Sequence, residues 1–277
     1  MTTLLYAMGT GLGHLVRARA FAHGHGLRPL VLTTHPQADR VLGDLPRVVL
    51  PDDHRLEGDR LRSALARVIA EHGVEHVILD VFPAGIRGEL GDWTPPGGQV
   101  SLLARRLGRP PRAGPPIGVA YRCEALERWQ DDWLTARADV VQDARLVDPP
   151  ALLPQPVSAW LDVLPRPIWA VVHSGSLDEL HLLVDHARDD AFARGLSPTL
   201  LIVHPDAPPI PGTLPCRLQP AWPLFSKVDR VVGGAGFNLV RQALSVRVPH
   251  LAIPLPRRFD DQPGRARALR TTGATPG

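Results

Sequence analysis

The feature that most constrains this chain is an alternation of two periodicities. "TTLLYAM" is a short apolar run, a helical pattern follows from about His14 to Ala22, and "RPLVLTT" is apolar again. "DRLRSALARVIAEHG" sets Leu61, Leu65, Val68 and Ile69 at helical spacing and closes on Gly73. "HVILDVF" comes next, apolar without a break until Asp80, as expected of a strand covered on both faces. "PPIGVAYR" and "ADVVQD" continue the series. Such alternation predicts a parallel sheet flanked by helices.

Between residues 148 and 167 the rhythm is interrupted by "DPPALLPQPVSAWLDVLPRP", which reads as a stiff linker without secondary structure. The pattern then resumes. "PIWAVVHSGS", a helix over "LDELHLLVDHARDDAFARG", "PTLLIVHP", "DRVVGGAG", a helix over "FNLVRQALSV" and "VPHLAIPLP" follow in turn. The expectation is two Rossmann-like α/β domains, residues 1–160 and 161–277, facing a cleft, the C-terminal one short. A chain of 277 residues has room for both. Ligands bind such sheets at the carboxyl ends of their strands. "DWTPPGGQV" and "GRPPRAGPP" read as loops, and no internal repeat is evident.

Composition excludes several partner classes. Lys227 is the only lysine among 31 basic residues, the net charge is +3, and arginines alternate with acids instead of forming a basic stripe. A nucleic-acid partner is therefore not expected. Cys123 and Cys216 match no metal or redox spacing. No secretion signal is visible, and apolar runs such as "SAWLDVLPRPIWAVV" are broken by Asp162, Arg166 and prolines. A soluble, cytoplasmic protein is expected.

Familiar motifs are missing. "GTGLGH" is not G-x-G-x-x-G, because His14 takes the third glycine position counted from Gly9 and Val16 takes it from Gly11. There is no G-x-x-x-x-G-K-[ST], G-x-S-x-G or H-E-x-x-H. Aspartates pair at Asp52–Asp53, Asp131–Asp132, Asp189–Asp190 and Asp260–Asp261 without forming a D-x-D metal motif, and His23 with His25 reads as a glycine-rich helix end. What remains is two glycine-rich strand-to-helix turns, "MGTGLGHLVR" and "VVGGAGFNLVRQAL", with a third polar loop, "HSGS", at 173–176. A turn of this kind presents a helix N-terminus, which suits a phosphate, but tight connections also need glycine for steric reasons alone.

With these residues in view, the chain resembles the two-Rossmann-domain (B-type) glycosyltransferases. It is similar to the superfamily that contains the N-acetylglucosaminyltransferase of lipid II synthesis. Gly11-x-Gly13-His14 followed by Arg17 resembles the N-terminal signature of that superfamily's predicted bacterial glycosyltransferase branch. "LDVFPAGIRGEL", residues 79–90, resembles a second segment of that branch, and "GGAGFNLVRQALSVRVPHLAIPLPRRFDDQPGRARAL" resembles the donor-binding signature. Two departures stand out. Gln242 occupies the place of a glutamate that holds the donor ribose, and the chain ends at Gly277, where relatives continue through further helices.

The resemblance implies a metal-independent, cofactor-free glycosyltransferase taking a sugar from a nucleotide-sugar, a UDP-sugar, to an unidentified acceptor. A lipid acceptor would add a peripheral membrane contact. Two other readings fit the same residues: a nucleotide-sugar hydrolase, since relatives with the Gly-His-x-x-Arg signature pass the sugar to water, and a non-catalytic sugar-nucleotide-binding protein. His14 is the candidate base. Gly11, Gly13, Arg17, Asp80 and Arg122 are candidate substrate contacts. Gly175, Ser176, Trp222, Gly233, Gly234, Gly236, Phe237, Asn238, Gln242, Asp261 and Gln262 are candidate donor contacts. Plainer readings accompany them. Arg17 is a solvated helix residue, Asp80 a turn cap, Asn238 an N-cap, Trp222 a core residue, and Arg87 with Glu89 a surface pair.

Overall fold

Every strand pairing given below is parallel. The computed structural model describes residues 2–9, 11–51, 57–94 and 98–271. The chain divides between Pro149 and Pro150 into two units, each built on its own sheet. Asp52–Asp53 and residues 95–97 of the "DWTPPGGQV" loop lie outside the described residues.

The first unit runs β1 (Thr2–Tyr6), α1 (Gly13–Gly24), β2 (Leu30–Thr33), α2 (Ala38–Leu42), β3 (Arg47–Val49), α3 (Gly58–His72), β4 (Val74–Asp80), β5 (Gln99–Ala104), β6 (Ile117–Arg122), α4 (Arg128–Thr135) and β7 (Ala138–Asp143). Its seven strands lie in the order β3-β2-β1-β4-β5-β6-β7. The alternation of side chains along β1 sorts the core into two layers. Leu4 and Tyr6 pack with Leu61, Leu65 and Val68 of α3, whereas Leu5 packs with Leu15, Ala18 and Phe21 of α1. The chain leaves β1 toward β2 on one side, and β4 pairs on the other, with Tyr6 opposite Leu79. The carboxyl ends of β1 and β4 therefore flank the point where strand order reverses, the place where such sheets hold ligands.

The second unit runs α5 (Gln155–Asp162), β8 (Ile168–Val172), α6 (Leu177–Ala193), β9 (Thr199–Val203), β10 (Leu214–Cys216), a short 3-10 helix (Trp222–Lys227), β11 (Arg230–Gly234), α7 (Phe237–Ser245), β12 (His250–Ile253) and α8 (Gln262–Thr271). The sheet order is β10-β9-β8-β11-β12, so its reversal lies between β8 and β11.

One expectation fails here. The proline-rich stretch is not free of secondary structure, because α5 forms within it and buries Leu161 in the core of the second unit. Pro154 stands at the N-cap and Pro156 in the first turn, where a missing N–H costs nothing. Short β3 and β10, together with α2 and α4, were also not anticipated. β5 starts at Gln99, at the end of the expected loop.

Candidate functional site

In the first unit, β1 ends at Tyr6, and α1 begins at Gly13 with Leu12 as its N-cap. The N-cap Leu12 makes no side-chain cap bond, and no acidic residue stands in the first turn. His14 lies in that turn, and Asp80 is the last residue of the neighbouring strand. The two meet: His14 Nδ1 is 2.6 Å from Asp80 Oδ2. Arg17, one turn further along α1, donates to the same carboxylate, from Nε to Oδ1 at 2.5 Å and from Nη2 to Oδ2 at 2.8 Å. Arg17 is thus no solvated helix residue but a buried one, and Asp80 is no mere turn cap. Directly after Asp80 the backbone turns sharply. Val81 sits at φ +78, a conformation costly for a β-branched residue, and its N–H donates to Leu103 O at 3.0 Å.

The electrostatics follow from this packing. A carboxylate accepts only, so Nδ1 carries the hydrogen and the Nε2 lone pair is left available. Among the described residues nothing hydrogen-bonds Nε2, and the His14 side chain keeps 14 % of its surface exposed. Burial lowers the imidazole pKa. The Asp80 carboxylate works against that, while the positive charges of Arg17 and Arg105 reinforce it, and the net shift is downward. Burial by itself would raise the Asp80 carboxyl, but the charge of Arg17 and the bonds from His14 and Arg17 outweigh it and hold the group at about 2. The arrangement is a neutral imidazole backed by a firmly ionised carboxylate. It can take a proton at Nε2.

The loop after Asp80 corrects another expectation. Glu89 does not form a surface pair with Arg87. It is buried and accepts from Tyr6 Oη at 2.6 Å and from the backbone N–H groups of Ile86 and Arg87 at 3.2 and 2.8 Å. Gly85 makes room for it, since a Cβ there would lie 2.2 Å from the Glu89 carboxyl carbon. The segment is thereby tied to β1, and the Phe82 ring stands 6.1 Å from that of His14. Nothing in the sequence distinguished Glu89 from a surface acid.

In the second unit, the glycine turn joins β11 to α7. Gly236 is the N-cap of α7, so Asn238 is the second helical residue and not the cap. Its N-cap, a glycine, has no side chain to cap it with, and its first turn carries no acid. Helix α6 differs: Ser176 caps it, accepting from Glu179 N–H at 3.4 Å, and Asp178 and Glu179 place negative charge in its first turn. Glu179 in turn pairs with His173 at 3.0 Å and accepts from Arg257 at 2.5 and 2.7 Å. Of the two helix starts, that of α7 is therefore the better matched to an anion.

The glycines of this unit have separate reasons. A Cβ on Gly233 would meet Leu239 Cδ2 at 2.4 Å and the carbonyl of Val172 at 2.9 Å, so close packing accounts for that one. A Cβ on Gly175 would meet His173 Nε2 at 2.6 Å, and one on Gly234 would meet Leu255 Cδ1 at 3.2 Å. At Gly236 the nearest atom is Gln262 Nε2, at 3.7 Å, so internal packing does not demand glycine there. Gly11 in the first unit is open in the same way: among the described residues other than its chain neighbours, nothing lies within 4 Å of a Cβ there.

Helix α8 braces this turn. Gln262 is buried and accepts from Leu255 N–H at 3.0 Å, Asp261 caps the helix by accepting from Gly264 N–H at 3.0 Å, and buried Arg265 donates to Ala235 O at 2.8 Å and to Asp260 at 3.0 Å. Phe237 lies under the Arg265 guanidinium, 5.9 Å away. Arg265 was missed, since one arginine in "RARALR" resembles any other. Gln242 is half-buried on α7, and Trp222 packs against the core of the unit. Arg122, at the end of β6, pairs with Asp131 and Asp143. Gly13 begins α1 beside His14.

Among the described residues no group of three or more His, Cys, Asp or Glu side chains is placed to hold a metal, and no helix is long and apolar enough to cross a membrane.

No protein-family model matches the chain, and no curated protein sequence is detectably similar to it. Solved structures are similar in fold. SsfS6, a glycosyltransferase from Streptomyces sp. SF2575 complexed with thymidine diphosphate, is 15 % identical over 99 % of this chain and 86 % of its own, with a TM-score of 0.64. The spinosyn forosaminyltransferase SpnP is 16 % identical over 99 % of this chain and 84 % of its own, at 0.66. A Siraitia grosvenorii UGT transferase in complex with UDP is 12 % identical over 98 % and 83 %, at 0.57. At such identities the likeness establishes the fold. The chain has the two Rossmann-like, parallel-sheet domains of B-type glycosyltransferases.

Proposed function

We propose that this protein is a glycosyltransferase that moves a sugar from a nucleotide-sugar to an acceptor hydroxyl, with His14 as the base. The observation that carries the reading is the His14–Asp80 pair, which engages Nδ1 of a neutral imidazole and leaves Nε2 without a hydrogen bond among the described residues. Nε2 takes the acceptor proton as the acceptor oxygen bonds to the anomeric carbon. The bond from that carbon to the diphosphate breaks, and a nucleoside diphosphate leaves with the electron pair. Asp80 stabilises the imidazolium formed.

The N-terminal unit, up to Pro149, holds the acceptor in this reading, and the C-terminal unit, from Pro150 and including α5, holds the donor. The start of α7, with glycine as its N-cap and no acid in its first turn, supports a diphosphate there, as does Gly236, where packing around a Cβ does not require glycine. Gly234, Phe237, Asn238, Gln242, Asp261, Gln262, Trp222, Gly175 and Ser176 belong to the same donor proposal. Gly11, Gly13 and Arg122 belong to the acceptor side. Uridine is the proposed base of the donor. Complexes of similar fold contain either UDP or thymidine diphosphate, so both are tested. Kinship with the lipid II branch, supported by the Gly13-His14 and Arg17 pattern, and a cytoplasmic location complete the proposal.

The deciding experiment incubates the protein with UDP- and dTDP-sugars, with and without a panel of hydroxyl acceptors. Nucleoside diphosphate release accelerated by an acceptor supports transfer. Fast release without one indicates hydrolysis, and binding without release indicates a non-catalytic protein.

A further inference from the structure

We propose that Arg17 is a positioning residue, which locks the Asp80 carboxylate so that it holds His14 in the tautomer with Nε2 unprotonated. The inference rests on His14 being the base and deepens that reading.

Asp80 alone has a freely rotating carboxylate at the end of its strand, and either oxygen could turn toward His14. The guanidinium of Arg17 removes that freedom. Its Nε–H and Nη2–H take Oδ1 and Oδ2 side by side, and such a fork fixes both the plane and the direction of the carboxylate. Oδ2 is then shared between Nη2 of Arg17 and Nδ1 of His14. The helix makes this possible. His14 and Arg17 are three residues apart on α1, hence on one face, and both reach the strand end that pairs beside β1. All three side chains are largely removed from water, where a fixed orientation survives competition from solvent.

Charge points the same way. The groups that act on His14 are Arg17 from its own helix, Asp80 from the end of β4, and Arg105 beyond β5. Cys123 and Glu124, beyond β6, lie in the same electrostatic neighbourhood, and burial pushes the Cys123 thiol up to about 12, so it is neutral. The two arginines oppose the pull of Asp80 toward the imidazolium. Arg17 thus lets Asp80 orient His14 without protonating it.

The test reads the imidazole directly and needs no substrate. Nitrogen-15 NMR of histidine-labelled protein distinguishes the two neutral tautomers. The wild type is expected to show His14 as the Nδ1–H form. In Arg17→Met the Nε2–H form should become populated, and the His14 titration midpoint should rise by about one pH unit as the opposing charge is lost. Arg17→Lys should keep the midpoint near that of the wild type yet still show mixed tautomers, because an ammonium lacks the fork. An unchanged, single Nδ1–H tautomer in both variants overturns the proposal, even if the midpoint moves. Should both variants fail to fold, the wild type decides. A slowly exchanging, downfield Arg17 Nε–H supports the fork, and a rapidly exchanging one overturns it. If His14→Ala keeps full turnover, the base reading falls while the tautomer result stands by itself.

Discussion

A methyl group on residue 9 would lie 2.3 Å from Cδ2 and 2.4 Å from Nε2 of His14, so Gly9 and His14 occupy one space between them. The glycine lets the imidazole lie close against the backbone and still reach Asp80. Gly9→Ala should therefore fold but displace the ring. Turnover is expected to fall on the order of tenfold to a hundredfold, since small misplacements of a reacting group are costly. The check is turnover alongside a melting curve, and a normal rate in a normally folded variant would contradict the account.

His14→Gln should lower turnover on the order of a hundredfold or more while leaving UDP affinity nearly unchanged. In the wild type, the downward shift at His14 keeps the base neutral throughout the neutral range. The rate should rise with pH through a midpoint below the ordinary histidine value and stay level at pH 7 to 8. A midpoint above that value would contradict the burial argument. Parallel loss of turnover and UDP binding in the variant would make His14 a phosphate ligand.

Two glycines of the β11–α7 turn should respond differently. Gly233→Ala forces a Cβ against Leu239 and the Val172 carbonyl, and should destabilise the fold by about 1–3 kcal/mol in urea denaturation. At Gly236 a Cβ has room, so Gly236→Val should fold, yet UDP binding by calorimetry should drop sharply if the diphosphate approaches there. Undiminished affinity would place the diphosphate elsewhere.

Tyr6→Phe removes one of the donors to buried Glu89. The carboxylate keeps the two backbone N–H bonds from Ile86 and Arg87, so the cost should be about 1–3 kcal/mol, read from chemical denaturation, and not complete unfolding. A neutral effect would mean that the loop is not fastened through this bond.

His250 predicts acid sensitivity. Burial lowers it from 6.5 to about 4. With the folded value below the unfolded one, its contribution is complete above about pH 6.5 and is lost as pH falls toward 4. At pH 5 that loss should be about 2 kcal/mol. His250→Val should flatten the fall in urea midpoint between pH 7 and 5. An equally steep fall in the variant would assign the sensitivity to other histidines.

The sequence by itself determined the longer strands and helices and the two glycine turns, though not β3, β5, β10, α2 or α4. Apolar periodicity and glycine spacing are local properties, and "HVILDVF" states its burial without any help from the rest of the chain. It also marked His14, as a polar residue beside glycine at a helix start. It stumbled at α5, where prolines that fit a first helical turn look like those of a linker. The partners of the candidate site were beyond it. His14 and Asp80 are 66 positions apart, and only the parallel register that sets Tyr6 opposite Leu79 brings their strand ends together. Burial then decides the chemistry. The same Arg17 and Glu89 would be ordinary surface charges in water, and become directional partners only because tertiary packing removes their alternatives.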